Sequence, residues 1–140
     1  MNYKLLLLLT IVVISGCVQT GPEQAKANVR IANDLAIEPV KSNDTAVLKI
    51  SVINNEQNVT SPCVRLSLAN KDALNYVTFV ENNLCDVFRN MDAGDKRDYT
   101  FRVAGLMPPG PEEAKFTIIV DVLVDGKITD TKPVNLTVQK

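Results

Sequence analysis

With 140 residues and a mass of 15.3 kDa, the chain can build one domain with a substantial core and leaves little for a second. Hydrophobic residues make up 46% and charged residues 22%, which excludes a wholly disordered chain and a multi-span membrane protein, and the net charge of -1 excludes a broadly basic nucleic-acid binder. Histidine and tryptophan are absent, so the usual general base, the commonest metal ligand and the best stacking ring are missing together.

The chain opens with a single positive charge at Lys4, an apolar run from Leu5 to Ile14 relieved only by Thr10, and then Ser15-Gly16-Cys17. That order predicts a secretory signal over residues 1–16. The run is about half the roughly 20 residues that a membrane-spanning helix requires, so a removable segment is expected rather than a permanent span. Ile14-Ser15-Gly16-Cys17 resembles the lipobox of prokaryotic lipoproteins. The resemblance implies that Cys17 is lipidated and becomes the mature N-terminus; the other reading is a plain secreted protein in which Cys17 lies near the cut. Three cysteines leave an odd one in an exported chain, and lipidation of Cys17 would account for it. Cys63 and Cys85 would then remain as a disulfide pair in an oxidising compartment, or as two thiols in an anaerobic host. They form no CxxC, and without histidine a zinc site would need carboxylates to complete it. Loss of Lys4 with the leader leaves 14 basic residues against 16 acidic, a net charge of -2 that draws nothing toward anionic lipid. Residues 17–28 lack apolar periodicity and include Gly21 and Pro22, so they read as a tether whose stretched length is on the order of 35 Å.

From Val29 to Lys140 the apolar pattern has period two, in short runs parted by Gly, Pro, Asn and Asp clusters, which predicts an all-β domain. An opening strand over Val29–Val40 bends at Asn33-Asp34, where the alternation resets. Leu48, Ile50 and Val52 alternate with Lys49 and Ser51 until Asn54-Asn55-Glu56 breaks the run, and Val64, Leu66 and Leu68 alternate with Arg65 and Ser67. Two weaker strands are expected at Tyr76–Val80 and Cys85–Phe88. A turn at Asp92-Ala93-Gly94-Asp95 precedes Tyr99, Phe101 and Val103, which alternate with Thr100 and Arg102. The clearest strand sets Phe116, Ile118, Val120, Val122 and Val124 on one face and Lys115, Thr117 and Asp121 on the other. Asp125-Gly126 then signals a hairpin, and the return from Lys127 to Val138 contains Pro133, which predicts an edge position, a bulge or a change of sheet. About seven strands at this spacing suit an immunoglobulin-like β-sandwich. Cys63 is out of phase with the inward set, so a disulfide there would lie at the periphery and staple the irregular stretch from Asn70 to Asn90.

The stretch Thr45 to Asn54, the turn Met91-Asp92-Ala93-Gly94-Asp95, the strand Tyr99 to Val103 and the strand Phe116 to Val124 together resemble the immunoglobulin-like modules of prokaryotic cell-surface proteins. Adhesion-type and S-layer-associated repeats of archaea and bacteria share this layout. The resemblance covers nearly all of the domain, rests on structural motifs, and implies a binding or spacing role without naming a partner. Absence of tryptophan and of Tyr-x-Cys on the Phe116 to Val124 strand sets the chain apart from antibody-type domains.

Candidate sites are few. Asp92, Asp95 and Asp98, with Asp86 near in sequence, present oxygen ligands that calcium would accept, although turns favour aspartate for its backbone habits alone. Asn43, Asn58 and Asn135 each open an N-x-T glycosylation motif, the first two at predicted turns and the third on the outer face of a strand. Tyr76, Phe79 and Phe88 lie in the least patterned stretch and are either a recognition patch or core, since only six aromatics remain after the leader. No serine sits in a Gly-x-Ser-x-Gly elbow, and Met107 to Pro111 reads as an extended loop. The expectation is a lipid-anchored, non-enzymatic module on the outer face of the cell membrane that binds or spaces an envelope protein or glycan, with no cofactor and no nucleic acid. A calcium or small-ligand binder and a carboxylate-dependent hydrolase are the rivals. The hydrolase would need two acids roughly 5–10 Å apart across a cleft.

Overall fold

The structure, a computed structural model, describes residues 28–56, 58, 60–86 and 89–140. The leader, Cys17 and most of the tether lie outside the described residues, as does Phe88.

Alternating apolar runs give strands because each places one set of side chains on a core and the next set in water. Among the described residues there are nine: β1 (Val29–Ile31), β2 (Val40–Lys41), β3 (Thr45–Asn54), β4 (Cys63–Leu68), β5 (Val77–Phe79), β6 (Asn83–Cys85), β7 (Lys96–Gly105), β8 (Glu113–Val124) and β9 (Lys127–Gln139). They form two sheets, in the orders β1-β3-β7-β5 and β2-β9-β8-β4-β6. Every pairing is antiparallel except the short parallel contact of β2 with β9. This is the expected sandwich, and its inner faces meet through Leu48, Ile50, Val52, Phe101 and Val103 from one sheet and Val64, Leu66, Ile118, Val120 and Leu136 from the other, all essentially fully buried. Each such side chain stabilises the fold by roughly 1.5–3 kcal/mol, so this layer outweighs the polar contacts described below.

Several local expectations need correcting. The opening segment is not one bent strand: β1 pairs with β3, the chain resets near Asn33 as the pattern required, and β2 joins the other sheet beside β9. Of the weak strand expected at Cys85–Phe88, residues 87 and 88 lie outside the described residues; the described strand is Asn83–Cys85, paired with β4 so that Cys85 faces Cys63. Asp121, placed by its phase on the face opposite the apolar set, is only 6% exposed: Arg65 reaches across from β4 to its Oδ2 at 2.9 Å, and the Thr131 hydroxyl donates to Oδ1 at 2.8 Å. Pro133 pairs with Ile119 on a stretch of β9 that has no strand on its other side, so its missing N–H interrupts no second ladder. The irregularity in this hairpin falls lower, where Thr129 is extra between Val122 and Leu123 and its hydroxyl donates to the Val122 carbonyl. Asp125 and Gly126 close the hairpin with φ of 51° and 75°, the left-handed pair that the Asp-Gly signal promised.

The edge beside β9 is closed by side chains. The Ile31 N–H donates to the Asp130 carboxylate at 2.8 Å, and Lys132 Nζ donates to the Asn33 carbonyl at 3.1 Å, so β9 stitches the edge of the first sheet to the second.

Candidate functional site

The sandwich has two poles. At one, β1 begins opposite the end of β3, with Val29 paired to Asn54. Asn54 is fully buried there and acts as a hub: its amide donates to the Asn58, Met91 and Asp92 carbonyls, its Oδ1 accepts from the Glu56 N–H, and its backbone bonds both Gly94 and Asp95. The strand ending in Asn and the later Gly-acid turn, separate in sequence, are therefore one assembly. Thr60 and Met91 exchange two backbone bonds beside it.

The carboxylates of this pole are used singly. Asp95 accepts the Asp92 N–H at 3.0 Å, Asp98 accepts the Ser51 hydroxyl, and Asp86 pairs with Arg97 at 3.0 Å. Among the described residues no three metal-ligating side chains converge, so the suggested calcium cage of Asp86, Asp92, Asp95 and Asp98 does not assemble. Arg97 also donates to the Arg89 and Asn90 carbonyls and so holds these two residues against β7. No sequence signal marks this role, because an arginine on the outer half of a strand looks like any solvated charge. Cys63 and Cys85 form a disulfide between facing positions of β4 and the edge strand β6, with Cys85 exposed and Cys63 half-buried, at the periphery as their phase required.

At the other pole, β4 ends, the Ala69 N–H bonds the Thr117 carbonyl, and Asn70 starts a 3-10 turn over Lys71–Asn75 by accepting the Asp72 N–H at 3.0 Å. Tyr76 ends the turn, and its carbonyl accepts the Leu106 N–H at 2.6 Å. This crossover from one sheet to the other leaves a groove of about 310 Å³ walled by Ala69, Asn70, Asp72, Ala73 and Tyr76 on one side and Lys115, Phe116 and Thr117 on the other. In it the Tyr76 and Phe116 rings lie 6.0 Å apart and within 21° of parallel, both half-buried. Of the suggested aromatic patch, Tyr76 belongs to this groove, whereas Phe79 packs against the core. Phe116 was legible only as an inward strand residue. Its place beside Tyr76 follows from the crossover, which no local pattern encodes.

Of the three glycosylation motifs, Asn43 stands on an exposed turn with φ 73° and an exposed Thr45, Asn58 is exposed but its Thr60 is buried, and Asn135 on the outer face of β9 accepts the Thr117 hydroxyl at 2.9 Å.

No protein-family model matches the chain, and no curated protein is detectably similar to it in sequence. Solved structures are similar in fold. A glycosyl hydrolase family 2 member from Bacteroides cellulosilyticus aligns with 13% identity and a TM-score of 0.55 over 77% of this chain and 15% of its own. The exo-chitosanase CsxA of Amycolatopsis orientalis aligns with 17% identity and a TM-score of 0.53 over 77% of this chain and 12% of its own. The ASH / PapD-like domain of human CEP192 aligns with 12% identity and a TM-score of 0.49 over 91% of this chain and 94% of its own. With its two facing sheets, the domain is an immunoglobulin-like β-sandwich. At these identities the likeness speaks of fold alone.

Proposed function

We propose that the protein is a lipid-anchored module of the cell envelope that works by binding and position rather than by catalysis. Residues 1–16 direct export, Cys17 carries the lipid, residues 17–28 form the tether, and residues 29–140 are the binding domain. The observation that supports this most is polarity: the chain enters β1 at one pole, and the aromatic groove opens at the other, about 30 Å away along strands of ten residues. A tether leading to Cys17 would join the domain at its Asn54 pole and leave the groove facing away from the membrane. Asp72 is the one carboxylate lining the groove, where glycoside cleavage takes a pair, which favours binding over hydrolysis.

Mass spectrometry of the mature N-terminus after expression in a bacterial host tests the anchor. A diacylglycerol-modified Cys17, with loss of membrane association in Cys17→Ser, is the expected result. An unmodified N-terminus and a soluble Cys17-containing protein would overturn it.

A further inference from the structure

We infer that the groove between the 3-10 turn and β8 binds a neutral sugar ring, which packs against the stacked Tyr76–Phe116 pair while Asn70, Asp72 and Lys115 bond its hydroxyls. The inference rests on the binding-module reading and gives that site its ligand class. A pyranose offers an apolar C–H face and a rim of hydroxyls, and the groove offers the complement: the part-exposed aromatic surface of the stacked Tyr76–Phe116 pair with polar groups around it.

Those polar groups have capacity to spare. The 3-10 turn uses the backbone N–H and C=O of Asp72, and its carboxylate has no hydrogen-bond or ion-pair partner among the described residues. Asn70 accepts the Asp72 N–H through Oδ1, which leaves its Nδ2 hydrogens for a ligand. Lys115 meets Glu113 at 3.5 Å with both side chains well exposed, a contact that a ligand hydroxyl can displace at little cost. One acid and one ammonium balance, so the site favours neither a phosphate nor a strongly acidic chain. Size points the same way. The groove's volume is near the lower end of the roughly 300–1,000 Å³ of small-ligand sites, and its eight lining residues fall well short of the roughly 20–30 per side of a stable protein interface. A chain end or one or two rings of a glycan would fit it.

Titration of the 15N-labelled full-length protein with cellotetraose, mannotetraose and chitotetraose, each to about 10 mM, reads the site directly. With at least one of them, the amides of Asn70, Ala73 and Thr117 are expected to shift and saturate. Tyr76→Ala should weaken that binding by about tenfold or more, with amide positions elsewhere unchanged. Asp72→Asn, an exposed change that removes no contact of the fold, should weaken it by roughly threefold to tenfold and serves if Tyr76→Ala does not fold. No saturable shift with any of the three sugars, shifts that survive both substitutions, or saturation by tetra-alanine in their place would overturn the inference. The titration does not depend on lipid, and Cys17→Ser is expected to bind the same sugar, so failure of the anchor and failure of the site are separable.

Discussion

Asn54 shows how one side chain can organise a pole. Its amide is the donor to three carbonyls from two loops, and truncation would cut all three ties at once and leave the buried Met91 carbonyl with the Thr60 N–H alone. Asn54→Ala is expected to lower stability by about 2–3 kcal/mol in urea unfolding, and Asn54→Asp, which turns a carboxylate oxygen toward the same carbonyls, by at least as much. Tyr99 makes a different use of burial. Its hydroxyl donates to the Pro62 carbonyl at 3.3 Å, and burial pushes its phenol above the ordinary value, with Arg97 opposing. Because the folded-state value is the raised one, the associated stability is complete below about pH 10 and is lost as pH rises through the folded value, where the unfolded chain is already ionised. The melting temperature should therefore fall more steeply above about pH 10 in the wild type than in Tyr99→Phe. Parallel profiles would show that Tyr99 does not couple folding to alkaline pH.

At the scale of elements, the β6 edge of the second sheet is held by a covalent bond. β6 has three residues, too few to keep an edge by pairing alone, and the Cys63–Cys85 bond fixes it to β4 across a separation of 22 residues. Removing the bond in a Cys63→Ser, Cys85→Ser variant should cost about 3 kcal/mol on the chain-entropy estimate, or roughly 10–15 °C in melting temperature, as calorimetry would measure. A variant that melts with the wild type would mean that Arg97 and its carbonyl contacts hold the segment unaided. The long strands could be read from the chain because alternation is a local property: Leu48, Ile50 and Val52, or Ile118, Val120 and Val122, declare their face by spacing alone. β2, β6 and the burial of Asp121 could not, because each depends on a partner from a distant part of the sequence: β9 for the first, Cys63 for the second, Arg65 and Thr131 for the third. Tyr76 could be singled out as an aromatic in an irregular stretch. Its partner Phe116 is 40 positions away, so the groove itself had no sequence signature.

For the whole molecule, the arrangement that matters is the separation of the two poles. The Asn54 pole is knit by hydrogen bonds and receives the chain at Val29, whereas the opposite pole carries the crossover, the groove and exposed apolar side chains at Leu74 and Leu106. Gly105 at that pole lies so close to Val138 that any Cβ would collide with its side chain, which lets β7 and β9 of the two sheets approach closely there. A rigid base that bears a recognition surface at its far end is the architecture expected of a tethered binder, and cross-linking in living cells tests it most directly. A photo-reactive residue at Leu74, 65% exposed on the 3-10 turn, should capture an envelope component, while the same residue at Asp125 in the hairpin of the opposite pole should capture none. Capture from the hairpin alone, or from neither position, would contradict the account.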